Sequence, residues 1–415
     1  MGHRVSKQQQ QHNNNSSNSN HNNKKEKRQS IGRRKLIGNL IYPNSNSNNS
    51  SKKRKSSSLQ CKQEKSGVNV LVLGASGSGK TTLINQIRLM SSDNISKEER
   101  LEYRTVILFN IIEAMQSILS AMNKYDVPID CVHRKAVAEK LLQEVNPFPT
   151  TLDIFRSIRS LWKEEGNIQL LYDTRHEYQL STINDTAEYY FEHTLEHVSS
   201  SKEALINYLP TDQEILRANR KTTSIVEHSN ISFKQVTEGS DAGSNITTYD
   251  YSYYNILDVG GLRSYRKQWA EAFAYKSLFS TLLFMVSLSE YDQCLLEDST
   301  TNRMQESLLL FESICDLQYF KKSSIILFLN KTDVFKEKLS SSPLYVYFPH
   351  YKGGDHYENA CQFILGQYKK ITVKSPNKKI YTHFICALDT VDVQLVMSAL
   401  HEDIIQISLD QTTLL

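Results

Sequence analysis

Cysteine is scarce and unpaired in this 415-residue sequence: six residues, at 61, 131, 294, 315, 361 and 386, form no C-x-x-C pair and no framework spacing. That excludes a zinc ribbon and a disulfide scaffold, and fits a reducing compartment. Long apolar runs are missing too. The longest candidate, around Ser280 to Leu288, falls short of the ~18 residues a membrane span needs, and the N-terminus has no apolar signal core. Neither secretion nor membrane spanning is expected. Acidic residues are nearly absent from positions 1–65, where Glu26 and Glu64 face 15 Lys and Arg; the rest of the chain carries 34 Lys and Arg against 43 Asp and Glu. The net charge of +4 therefore averages a strongly basic arm and an acidic body.

That arm also has little from which to build a core. Runs such as Gln8 to Gln11, Asn13 to Asn15 and Ser56 to Ser58 dominate it. Such a segment cannot bury enough apolar surface to offset its ordering entropy, so disorder is expected over 1–65. Its clusters Lys24-Lys25-Lys27-Arg28, Arg33-Arg34-Lys35 and Lys52-Lys53-Arg54-Lys55 suit a solvated linker, an anionic-lipid binder, a nuclear signal or a nucleic-acid patch. No aromatic residues are interleaved with these charges, which argues against single-strand recognition, and no nucleic-acid partner is expected. Met1-Gly2-His3-Arg4-Val5-Ser6 fits M-G-x-x-x-[ST], making Gly2 a candidate myristoylation site.

Order should begin near Val68, where Val68, Val70, Leu71, Val72 and Leu73 form a short apolar run ending at Gly74, the pattern of a buried strand and a turn. From Ser96 to Leu209 the apolar residues recur with helical period, as in Ile154, Ile158 and Leu161, which predicts an all-helical insert. Strand-like runs return at Ile225 to Val236, Tyr251 to Leu257, Thr281 to Ser287, Ser324 to Leu329 and Tyr381 to Ile385. Strands alternating with helices predict an α/β fold, a mostly parallel sheet with helices on both faces. Glu238 to Asn245, rich in Gly, Ser and Asp, reads as an extended hairpin loop. Trp162, Trp269 and His383 read as packing residues.

Three motifs carry chemistry. Gly74-Ala75-Ser76-Gly77-Ser78-Gly79-Lys80-Thr81 matches G-x-x-x-x-G-K-[ST] between a predicted strand and a predicted helix. Its backbone N–H groups can wrap phosphate oxygens, Lys80 can reach the β- and γ-phosphates, and Thr81 can ligate Mg²⁺. Asp258-Val259-Gly260-Gly261 ends the next strand but one; its carboxylate can hold a magnesium-bound water, and glycine lets backbone N–H approach a γ-phosphate. Asn330-Lys331-Thr332-Asp333 follows another strand, and the Asp333 carboxylate can accept from both N1–H and the 2-amino group of guanine, which adenine cannot offer. A P-loop ATPase or kinase is the alternative that Asn330 and Asp333 argue against.

Over residues 66–415 the sequence resembles the heterotrimeric G-protein alpha subunits. The resemblance runs through Lys221-Thr222-Thr223 with Ile225-Val226-Glu227, Asp258-Val259-Gly260-Gly261 with Arg263-Ser264 and Trp269, and Ser289-Glu290-Tyr291-Asp292. It continues in Asn302-Arg303-Met304, Phe328 to Asp333 and Tyr381 to Phe384, and Arg175 and Glu177 to Leu180 resemble a run near the end of the family's helical domain. It implies a P-loop Ras-like GTPase domain (66–95 and 211–415) with an inserted all-α helical domain (96–210), acting as a GDP/GTP switch. By the same resemblance Gly77 to Thr82 wrap the phosphates, Leu216, Arg217 and Gly261 join the nucleotide site, and Thr81 and Thr222 ligate Mg²⁺. Asp258 holds the ion through water, Asn330, Lys331 and Asp333 read guanine, and Cys386-Ala387 lend backbone to it. Implied partners are a βγ dimer, a seven-helix receptor touching Ile404 to Leu415, and an effector, at the cytoplasmic face of the plasma membrane, or in the cytoplasm if Gly2 is not acylated. The family's N-terminal helix is not recognisable, because Pro43 and an Asn/Ser run interrupt it.

Several positions depart from the family pattern. Asn219 stands where an arginine lies three residues before the Mg²⁺-ligating threonine, and Leu262 where a glutamine orients water after D-V-G-G. Ser76 and Gly77 replace Gly-Glu, and Ile385 and Leu388 flank Cys386-Ala387 where the family has threonines. A register slipped by one would make Thr223 the ligand and put Arg220 in the arginine's place. The expected function is a switch with strongly impaired GTP hydrolysis; the alternative is a GTP-binding interaction protein that holds nucleotide without useful turnover.

Overall fold

A computed structural model of the chain describes residues 68–91, 94–143, 151–175, 185–241, 244–275, 281–295, 298–320, 323–372 and 380–412. The basic arm with Gly2 and the run Glu177 to Leu180 lie outside these residues.

Among the described residues, six strands form one sheet in the order β2-β3-β1-β4-β5-β6. They are β1 (Val68–Gly74), β2 (Val226–Asp241), β3 (Ser244–Asp258), β4 (Thr281–Ser287), β5 (Ser324–Asn330) and β6 (Ile380–Ile385). Only β2 runs antiparallel to its neighbour. Register aligns the carboxyl ends: Val72 faces Asp258, Gly74 faces Met285, Ser287 faces Asn330, and Asn330 faces Ile385. The loops leaving β1, β3, β5 and β6 therefore converge on one edge, the usual location of a ligand crevice in such sheets.

Both faces of the sheet are covered, so β1, β4 and β5 are almost wholly apolar and buried. On one face Leu73, Phe284 and Leu327 pack in a core with Phe311, Ile314 and Tyr368, which lie on helices α4 (Arg303–Cys315) and α6 (Tyr357–Thr372). On the other, Val72, Met285 and Phe328 share a core with Leu83, Ile87, Val393 and Met397, from α1 (Lys80–Met90) and α7 (Thr390–Thr412). A third core is built almost wholly from helices. Phe155, Trp162, Tyr172 and Phe191 surround Ile107, Ile111, Met115 and Ile118 of α2 (Lys97–Lys124).

Capping fixes where helices start. Ser96 and Glu99 form a reciprocal capping box at the head of α2, and Thr211 and Glu214 form another at the head of α3 (Asp212–Arg217). Arg100 joins the two places: its Nη1 donates to the Pro210 carbonyl at 3.1 Å, and its guanidinium also pairs with Asp212. The ends of the helical insert thus meet at one neck.

Two expectations need correction. Residues 238–241 and 244–245 are not a loop, because β2 and β3 stay paired out to Asp241 facing Ser244. Gly, Ser and Asp there suit a turn, but an antiparallel partner satisfies backbone groups whatever the side chains. Helix α2, 28 residues long, is also long and apolar enough by length and composition to cross a membrane. Its apolar residues are instead the centre of the helical core, and most of that stretch is buried.

Candidate functional site

The loop from β1 to α1 bends through positive φ at Gly74, Gly77 and Gly79. A Cβ at Gly79 would lie 2.2 Å from Nδ2 of Asn330, so glycine is required both by conformation and by close approach. Ser78 Oγ donates to the Ala75 carbonyl at 2.9 Å, and Lys80 Nζ reaches the Gly74 and Ala75 carbonyls at 3.1 and 2.9 Å. Burial lowers the Lys80 ammonium to about 8, against the opposing pull of Asp258.

The loop borders a cavity of about 330 Å³ between the sheet edge and the helical insert. Of the predicted site residues described, all but Gly74, Ala75, Ser78 and Asp258 line it. Those four stand behind its wall, Ser78 and Asp258 almost fully buried.

Oxygen donors gather at one side. Thr81 Oγ1 lies 3.1 Å from Thr222 Oγ1 and donates to Asp258 Oδ2 at 3.1 Å. Asp258 is 2% exposed, its carboxyl is pushed up by burial, and its Oδ1 has no hydrogen-bond partner among the described residues. Two hydroxyls and a buried carboxylate with an unsatisfied oxygen form a hard-oxygen set that fits Mg²⁺ with retained waters. Thr222, and not Thr223, is the residue that meets Thr81.

Asn330 binds the loops together: its Nδ2 donates to the Ser78 carbonyl at 2.8 Å, and its Oδ1 accepts from Ala387 N–H at 3.0 Å. Lys331, just before α5 (Thr332–Lys338), adopts the left-handed conformation and spans to the helical insert, with Nζ 2.9 Å from Asp185. Burial works against both charges, yet their mutual attraction prevails, raising the Lys331 ammonium and lowering the Asp185 carboxyl relative to their ordinary values. Asp333 lines the cavity beside Cys386, whose thiol is pushed up to about 12 by burial and then by that carboxylate.

Sequence motifs missed Asp185, which follows no recognisable pattern. Tyr189 was missed as well; the Arg217 guanidinium stacks on its ring at 4.0 Å. Arg303 and Glu290 gain a role from their contacts, since Arg303 Nη2 bonds both the Ser76 carbonyl at 2.6 Å and the buried Glu290 at 3.0 Å.

The segment after β3 presses against the phosphate loop. A Cβ on Gly261 would lie 2.7 Å from Ala75 C, Ser76 N and Lys80 Nζ. Leu262 lines the cavity, then Arg263 grips Glu306 of α4 with two hydrogen bonds at 2.9 and 2.6 Å. Arg266 donates to the same carboxylate at 2.8 Å, and Trp269 Nε1 donates to the Gly260 carbonyl at 2.9 Å. Trp269 is therefore both core and anchor. Asn219 and Arg220 also line the cavity, but the Arg220 guanidinium lies against Glu102 and Tyr103 of α2.

A family profile described as G-protein alpha subunit matches residues 44–405. The chain is 38% identical over 347 residues to a guanine nucleotide-binding protein subunit alpha of Pyricularia oryzae, covering 83% of this chain and 90% of that protein. It is 39% identical over 348 residues to one from Emericella nidulans, covering 83% and 89%. The guanine nucleotide-binding protein alpha-1 subunit of Neurospora crassa is 38% identical over 351 residues, covering 83% and 90%.

Proposed function

The chain belongs to the G-protein alpha subunit family, and from that membership we propose how its own residues run the switch. The family comprises guanine nucleotide-binding alpha subunits of heterotrimeric G proteins, which are GTPases working with a βγ dimer and a receptor. In this member Gly77 to Thr82 wrap the phosphates, Asp333 reads guanine, and Leu216, Arg217, Lys331 and Cys386-Ala387 enclose ribose and base. Thr81, Thr222 and Asp258 hold Mg²⁺, the last through water. When bound, the ion would supply positive charge that offsets the charge of the phosphates. The observation that carries this reading is the convergence of Thr81, Thr222 and Asp258 beside the phosphate loop.

We propose further that hydrolysis is slow. Asn219 is neutral and too short to spread charge over the transferring phosphoryl group, and Leu262 has no polar atom to orient water. An arginine finger is worth roughly 10³–10⁵ in rate, a scale established on GTPases of this kind. Ser76 adds a side chain where γ-phosphate and water must align. Single-turnover hydrolysis tests this: the double change Asn219→Arg, Leu262→Gln should raise the rate by at least tenfold. Ordinary family rates in the natural chain would overturn it. A natural chain with no measurable turnover that the double change does not rescue favours the second reading, a nucleotide-holding interaction protein, for which the same departures speak. Receptor contact through α7 and an effector surface complete the proposed circuit. The protein works at the cytoplasmic face of the plasma membrane, held by its basic arm and an acyl chain on Gly2.

A further inference from the structure

Three consecutive residues just before Thr222 are held by the helical insert. Asn110, in the middle of α2 and 3% exposed, pairs with the backbone of Asn219 in both directions. Its Nδ2 donates to the Asn219 carbonyl at 3.3 Å, and its Oδ1 accepts from Asn219 N–H at 2.8 Å. Arg220 places its guanidinium 5.3 Å over the Tyr103 ring and 3.3 Å from Glu102, and Lys221 Nζ lies 4.0 Å from Glu113. Tyr103 OH in turn accepts from Asn85 of α1, the helix that carries Thr81, at 2.8 Å. Asparagine is a poor residue for a helix interior, and a buried amide persists where its hydrogen-bonding groups are used. Here they are used on a backbone 109 residues away in sequence, in the manner of a neighbouring strand.

We propose that Asn110 is a positioning residue for the Mg²⁺–nucleotide complex. By clamping Asn219 it fixes where the chain stands three residues later, so that Thr222 is presented to Thr81 by the helical insert, with Arg220 and Lys221 closing the same seam from its exposed side. Release of nucleotide then requires the seam to part. The proposal rests on the reading of Thr81, Thr222 and Asp258 as the Mg²⁺ residues.

The test is release of a fluorescent GTP analogue from the full chain, in excess Mg²⁺ and after chelation. In the natural chain Mg²⁺ should slow release. Asn110→Ala strips both partners from the Asn219 backbone and should speed release in Mg²⁺ by about tenfold or more. Release after chelation should change much less, so the ratio of the two rates shrinks. Asn110→Asp keeps the acceptor for Asn219 N–H and should fall between; it carries the same comparison if the alanine variant does not fold. Glu102→Ala removes an exposed ion pair and should change release by about twofold or less. Equal acceleration of both rates in the Asn110 variants, leaving the ratio unchanged, would mean a merely structural role and would overturn the proposal. So would natural release rates in those variants. A natural chain that binds no guanine nucleotide, or whose release ignores Mg²⁺, overturns the underlying Mg²⁺ reading instead.

Discussion

Asn330 shows how much one side chain can organise. With one amide it satisfies the Ser78 carbonyl and the Ala387 N–H, so loops from β1, β5 and β6 meet on it. Asn330→Ala would leave both groups unpaired in a buried place, each at about 1–3 kcal/mol. Guanine nucleotide affinity should fall by at least about tenfold and the melting temperature should drop, which titration and thermal unfolding would register. Asp333 offers a sharper case. Asp333→Asn sets a donor against one of the guanine donors, so GTP binding should weaken about tenfold or more while xanthine nucleotides gain. Unaltered GTP affinity in that variant would remove the guanine assignment.

Among elements, the segment from Gly260 to Trp269 depends on α4. Glu306, 1% exposed, receives Arg263 and Arg266, while Trp269 fastens the Gly260 carbonyl. Burial alone would raise the Glu306 carboxyl, but the two guanidinium groups hold it below its ordinary 4.5. For a carboxyl lowered in the folded state, the stabilisation is complete above its unfolded pKa and is lost as pH falls through the folded one. The anchoring should therefore be constant from neutrality down to about pH 4.5 and fade below. Glu306→Gln should expose residues 261–269 to faster amide hydrogen exchange at neutral pH, and unchanged protection would count against the anchor. This level also separates what was legible in the sequence from what was not. Each site loop begins where an apolar run stops, at Gly74, Asp258 and Asn330, and a period-two or buried run with a motif after it is visible without coordinates. Asp185 and Asn110 were not legible, because each acts on a residue more than a hundred positions away, and long-range pairing leaves no local period. Residues 238–241 and 244–245 pair where composition suggests a loop, because backbone pairing, not side chains, decides the strand.

On the scale of the whole molecule, charge is divided between an arm with 15 basic and two acidic residues and a body with an acidic excess. A single myristoyl chain binds membranes only marginally, and basic residues near an anionic surface add about 1 kcal/mol each. Gly2→Ala and neutralisation of Lys52 to Lys55 should each shift the protein from membranes to the soluble fraction, the latter more at low salt than at high. If both variants sediment with membranes as the natural chain does, the arm serves another end. The neck at Arg100 and Pro210 bears on a different matter, the order in which the chain folds. Pairing β1 with β3 before the insert has formed means closing a loop of about 170 residues, at an entropic cost of about 4.5 kcal/mol from the logarithmic term. Contacts inside the insert are closer in sequence and form sooner, and once its ends meet at the neck the loop left to close is about 60 residues, which lowers that cost by about 1 kcal/mol. Ile111 lies in the insert's core, so Ile111→Ala should slow refolding of the sheet, a kinetic debt incurred far from any strand.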